Sequence, residues 1–391
     1  MRTRYLSWLV VLAFGLPMGT QARTAYSAGT LNALRVSGAD QPIIDGTPDA
    51  VWADALGLDV PMGATTDIAS CASCHGFSGG NSTSLKAVYT SDRLFIQASW
   101  PDSTASLTRG GAWSWESASW QTLDGDQSED RIALYFPMTA TTGELANAGC
   151  MAKCHITDPG SWLLTGTADM WHTKAARSGP TLSLTGSGLT IDATTNEVTA
   201  GTLTMVGFAD DKYVAQDGGG DRGRYGDAGS STYARNRIGD ATRPKFIETA
   251  PVDYADAMVL TQVEIDDGEV AGDAKTGVSD ADAANYWPAY AALNAIVPER
   301  ILRVPTGSRG DIDFAATWSD GIWTVEMGRA LDTGNGDDLQ FVAGQEYHLN
   351  VATMDNGGGG VEHETSAGIV LRLAPEPPPG PVDLAGMLGV L

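Results

Sequence analysis

Short runs of apolar residues, many of them alternating with polar ones, dominate the chain. Residues 85–89 and 94–100 flank Thr90-Ser91-Asp92-Arg93 and predict a hairpin. Residues 314–318 and 322–327, joined by Ser319-Asp320-Gly321, predict a second hairpin on an Asp-Gly turn. Further strands are expected over 130–136, stopped by Pro137, and over 259–265, 347–354 and 369–373. Helical spacing is scarce. Residues 49–56 and 280–295 carry it best, with Pro288 breaking the second. Long loops are expected over 143–180 and 210–251, and loops of that length usually have a function. The pattern is that of a mostly antiparallel β-sandwich with long insertions.

Composition supports this reading. Of 391 residues, 47 are glycine and only 18% are charged, which suits turn-rich β structure. The formal net charge of -24 argues against nucleic acid and against an anionic membrane surface as partners. At the N-terminus, Arg2 and Arg4 precede an apolar run over 5–18 and a small-residue site at Thr20-Gln21-Ala22. This reads as a signal peptide over 1–22, and so as a periplasmic or extracellular protein; an uncleaved anchor helix is the alternative. Residues 375–391 read as a proline-rich linker and a short apolar tail, too short to span a bilayer.

The cysteines carry the chemistry. Cys71-Ala72-Ser73-Cys74-His75 is a C-x-x-C-H motif, the pattern for covalent attachment of a c-type haem. Two thiols bond the haem vinyl groups, and the adjacent histidine reaches the iron. Cys150-Met151-Ala152-Lys153-Cys154-His155 repeats the pattern with one extra residue between the thiols. The chain has no other cysteine. Two local disulfides, or a zinc site of four thiolates and two histidines, are the competing readings. Disulfides leave the adjacent histidines unexplained.

With His75 and His155 as proximal ligands, three histidines remain. His172 lies in the loop expected after the second motif and is the leading distal candidate. His363 follows the glycine run 357–360 and is the next, while His348 on an expected strand reads as a packing residue. Met138, Met151 and Met170 lie near the motifs and are weaker candidates. No nucleophile elbow or H-E-x-x-H motif is present, so no catalytic site is expected. Acid pairs such as Asp337-Asp338 and Asp266-Asp267 read as solvated loops, with calcium binding as the lesser reading.

Several segments together resemble the ethylbenzene dehydrogenase-type haem-binding domain. Residues 43–52 are similar to its opening, 86–89 with 94–102 and 130–137 to its early strands. Asp169-Met170-Trp171-His172 with 174–180 looks like its central motif, followed by Asp210-Asp211-Lys212-Tyr213. Trp323-Thr324-Val325-Glu326 with Arg329-Ala330-Leu331 resembles its C-terminal hairpin. The resemblance covers about residues 40–374 and makes that span one domain. It implies an immunoglobulin-like β-sandwich holding haem at one end, related to family 9 carbohydrate-binding modules. It also implies an electron-transfer role beside a redox partner, a molybdoenzyme or another cytochrome. The best-known relatives hold a non-covalent haem, whereas this chain carries two attachment motifs and looks like a multihaem c-type branch. The expectation is therefore an exported dihaem c-type cytochrome. A haem-containing carbohydrate-binding protein without a redox partner is the alternative, for which Trp113, Trp115 and Trp120 would supply stacking.

Overall fold

The computed structural model describes residues 27–63, 81–123, 128–138, 156–158, 161–162, 167–215, 227–356 and 364–375. Its strands form a β-sandwich. The first sheet runs Ser183–Ile191, Val198–Phe208, Asp313–Ser319, Ile322–Ala330, Arg93–Pro101 and Ser82–Tyr89, with antiparallel neighbours throughout. The second runs Gly368–Leu373, Glu346–Met354, Arg131–Pro137, Thr167–Lys174 and Asp210–Ala215, again antiparallel. Two strands belong to both sheets. Ser27–Arg35 pairs in parallel with Gly368–Leu373 and then, at Leu34 and Arg35, with Ser82–Tyr89. Leu58–Gly63 pairs with Ser82–Tyr89 and then, at Met62 and Gly63, with Glu364–Ser366. The sheets are therefore hydrogen-bonded together along one edge.

Alternation explains the core. Leu85, Ala87, Ile96, Ala98, Phe314, Ala316, Val325 and Met327 of the first sheet face Ile132, Leu134, Phe136, Trp171, Val351 and Ile369 of the second. Trp171 packs on Phe136 and Phe341 at ring-centroid distances of 5.3 and 6.1 Å. Two of the buried indoles find acceptors across the sandwich: Trp318 Nε1 donates to the Asp102 carbonyl at 2.9 Å, and Trp323 Nε1 to Asp130 Oδ2 at 3.1 Å.

Both expected hairpins form, as do the strands near 130–136, 347–354 and 369–373. Other expectations change. Residues 259–265 are not a strand. Thr261 and Glu264 make a reciprocal capping box, and the helix Gln262–Asp267 ends at Gly268 with φ 80°. The helix Asp280–Ala292 continues through Pro288, started by a second capping box at Ser279 and anchored by buried Ala283 and Tyr290. The expected long loops contain the strands Thr167–Lys174 and Asp210–Ala215. Both carry charged residues at buried positions, which hides them from a hydrophobicity pattern. Ser183–Ile191 and Val198–Phe208 are strands beyond those expected, and their alternating Thr and apolar residues were legible. Among the described residues, no helix is long and apolar enough to cross a membrane.

Candidate functional site

The middle strands of the second sheet, Arg131–Pro137 and Thr167–Lys174, bury both of their faces. Along Thr167–Lys174, the side chains of Asp169, Trp171 and Thr173 point one way, with Trp171 in the sandwich core. Met170, His172 and Lys174 point the other way. The register sets Asn350, Tyr135, Met170 and Lys212 side by side in one row, and Ala352, Ala133, His172 and Asp210 in the next. Although this face turns away from the core, His172 is only 2% exposed and Met170 6%. Ala133, Tyr135, Ala168, Met170 and Val214 form an apolar cluster of their own there. Ala133 and Ala352 occupy the positions beside His172 in its row. Met170 and His172, a thioether and an imidazole, stand at positions i and i+2 of the same strand.

Ion pairs brace the edge of this face. Lys174 donates to Asp210 Oδ2, Lys212 Nζ lies 3.3 Å from the same oxygen, and Arg309 reaches Oδ1 at 2.8 Å. Burial pushes the Asp210 carboxyl up, but Lys174, Lys212 and Arg309 outweigh it and hold the group far below the usual range. Past the end of the strand, Arg177 grips Glu129 through Nε at 3.1 Å and a terminal nitrogen at 2.5 Å. Arg131 adds a contact to Glu129 at 2.9 Å. Burial again opposes ionisation, and the arginines win, holding Glu129 at about 2.

On the core side, Arg329 is fully buried among Asp169 at 2.7 Å, Asp211 at 3.0 Å and Asp338 at 3.6 Å, and its guanidinium lies over Trp171. Asp338 is thus a buried ion-pair partner rather than a solvated loop residue, whereas Asp266 and Asp267 are exposed at a helix end. Sequence reasoning missed Glu129, Arg177, Lys174, Asp210 and Arg329 as a set. Their signal was available as charges inside segments otherwise rich in Trp, Met and Tyr.

His172 therefore lies on a strand, not in a loop as expected, because its neighbours Ala133 and Asp210 hydrogen-bond their strands to its own. His348 is exposed on Glu346–Met354. Cys71, Cys74, His75, Cys150, Met151, Cys154, His155 and His363 lie outside the described residues, as do residues 1–22 and most of 375–391. The strand ends Gly63 and Ser82 lie at the end of the sandwich that holds Pro101, Ile322, Arg131 and Met354.

A family model described as ethylbenzene dehydrogenase matches residues 49–366. The chain belongs to the ethylbenzene dehydrogenase family. The matched range includes both cysteine motifs, His172 and His363. Family membership puts the chain in a redox setting, associated with redox enzymes. No curated protein matches the chain. Similar solved structures include a carbohydrate binding module family 9 (CBM9) from Caldicellulosiruptor kristjanssonii in complex with glucose. It is 7% identical with a TM-score of 0.30, covering 89% of this chain and 97% of that one. The same module in complex with cellotriose is 8% identical with a TM-score of 0.31, covering 88% and 95%.

Proposed function

We propose that this family member is an exported, periplasmic or extracellular dihaem c-type cytochrome that exchanges electrons with a redox enzyme, as its subunit or its diffusing partner. The observation that carries this reading is the pair of Cys-Cys-His motifs within the matched range of a redox-enzyme family. Cys71 and Cys74 would hold one haem and Cys150 and Cys154 the other, with His75 and His155 as proximal ligands. Bound there, each haem supplies a one-electron couple whose potential follows from its axial ligands and burial. His172 is the candidate distal ligand, with His363 next. The Asp210 and Glu129 ion pairs fix the strand that presents His172 and Met170. The acidic chain would steer a basic partner, a molybdoenzyme or another cytochrome, with a salt-sensitive rate.

The test is the intact mass of the chain after export with the haem maturation machinery. The expected mass excess corresponds to two haems, and Cys71→Ala with Cys74→Ala removes one of them. Wild type with no covalent haem from a competent host would refute the proposal.

A further inference from the structure

Three carboxylates from both sheets converge at the end of the sandwich where the Gly63 and Ser82 strand ends lie. Asp102 follows the strand Arg93–Pro101, Asp130 precedes Arg131–Pro137, and Asp355 follows Glu346–Met354. One carboxylate oxygen from each lies within 4.8 Å of the other two, with Asp102 and Asp130 buried and Asp355 open to solvent. Glu197, just before Val198–Phe208, adds its field to Asp102 and Asp355. It is tied to the group through Ser106 Oγ at 2.9 Å and Asn356 Nδ2 at 2.6 Å.

The hydrogen bonding is uneven. Asp130 is fully engaged, accepting from the Ser106 amide at 2.7 Å, Trp323 Nε1 at 3.1 Å and the Asn356 amide at 3.0 Å. Asp102 is 4% exposed and, among the described residues, accepts only from the Thr104 amide, at Oδ1. Its Oδ2 is buried with no donor. Among the described residues, no lysine or arginine pairs with any of the three. A buried carboxylate oxygen with neither donor nor counter-charge is costly to keep. Burial first, then repulsion from Asp355, pushes the Asp102 carboxyl up to about 8. The second acidic cluster, Asp211, Asp227 and Asp338, differs because Arg329 already sits against Asp211 and Asp338.

The geometry points to a divalent-cation site for calcium formed by Asp102, Asp130 and Asp355, with Glu197 beside it. An all-oxygen, strongly anionic donor set selects a hard cation over zinc, which prefers nitrogen and sulfur. The ion would give Asp102 Oδ2 its missing partner. It would also tie segments of both sheets together at that end of the sandwich.

The experiment is calorimetric titration of the chelator-treated full chain with CaCl2, with thermal melts beside it. Wild type is expected to bind calcium and to melt higher in its presence. Asp355→Asn, at an exposed position that leaves the core intact, is expected to weaken binding about tenfold or more, and Asp102→Asn to abolish it. Asp211→Asn in the second cluster is expected to bind as wild type. Absence of binding to wild type, or wild-type binding by Asp355→Asn, would overturn the inference. So would loss of binding in Asp211→Asn alone.

Discussion

Glu129→Gln tests how the strand bearing His172 is held. Glu129 is fully buried, and its two oxygens accept three contacts from Arg177 while Arg131 lies at 2.9 Å. Burial alone would raise its carboxyl, but Arg177 and then Arg131 bring it from an ordinary value of 4.5 to about 2. At 1.36 kcal/mol per unit of pKa, the ionised form contributes about 3 kcal/mol. The sign follows from linkage. The folded value is depressed, so this stability is fully present above about pH 4.5 and is lost as pH falls towards 2. Glutamine keeps the shape but leaves two arginines facing a neutral amide. Removing one partner of a buried pair costs roughly 3–5 kcal/mol, which for a domain of this size lowers the melting midpoint by roughly 4–7 °C. The assay is a pair of melts, wild type against Glu129→Gln, at pH 7 and at steps down to pH 2.5. The gap should be largest at pH 7 and narrow as wild type protonates. A variant melting within about 1 °C of wild type at pH 7, or a gap that ignores pH, would show that the arginines do not depend on this carboxylate.

Three further outcomes are expected. In the dihaem protein proposed above, His172→Ala should convert one haem from low to high spin and shift its potential while both covalent attachments survive; unchanged spectra and potentials would make His172 a packing residue and move the search to His363. Burial, only partly offset by the Gln97 amide at 3.1 Å, raises Glu326 to about 7, so its effect on stability worsens as pH rises from about 4.5 to 7. Glu326→Gln should therefore stabilise the chain by about 1–3 kcal/mol above pH 7 and leave it unchanged near pH 4, read from denaturant melts. Gly207→Ala should destabilise by roughly 1–3 kcal/mol, since a Cβ there would lie 2.2 Å from the Gly179 carbonyl oxygen; a wild-type melting midpoint would show that the 178–181 turn can move aside.

The sequence by itself determined the fold class, the two tight hairpins and the presence of two cysteine-histidine motifs. Each of these is local: alternation has period two, an Asp-Gly turn spans a few residues, and two thiols with a histidine lie within six positions. Only the tertiary structure decided what Thr167–Lys174 and Asp210–Ala215 are. Their patterns are interrupted by Asp169, His172, Lys174, Asp210 and Asp211, and a charge at a core position contradicts a strand until its partner is known. Those partners are distant in the chain: Arg329 lies 118 residues from Asp211, and Arg309 lies 99 from Asp210. The same holds for Asp102, Asp130 and Asp355, which lie far apart along the chain. Their convergence follows from strand order, because each ends or begins a different strand at the same end of the sandwich, and no local pattern records that.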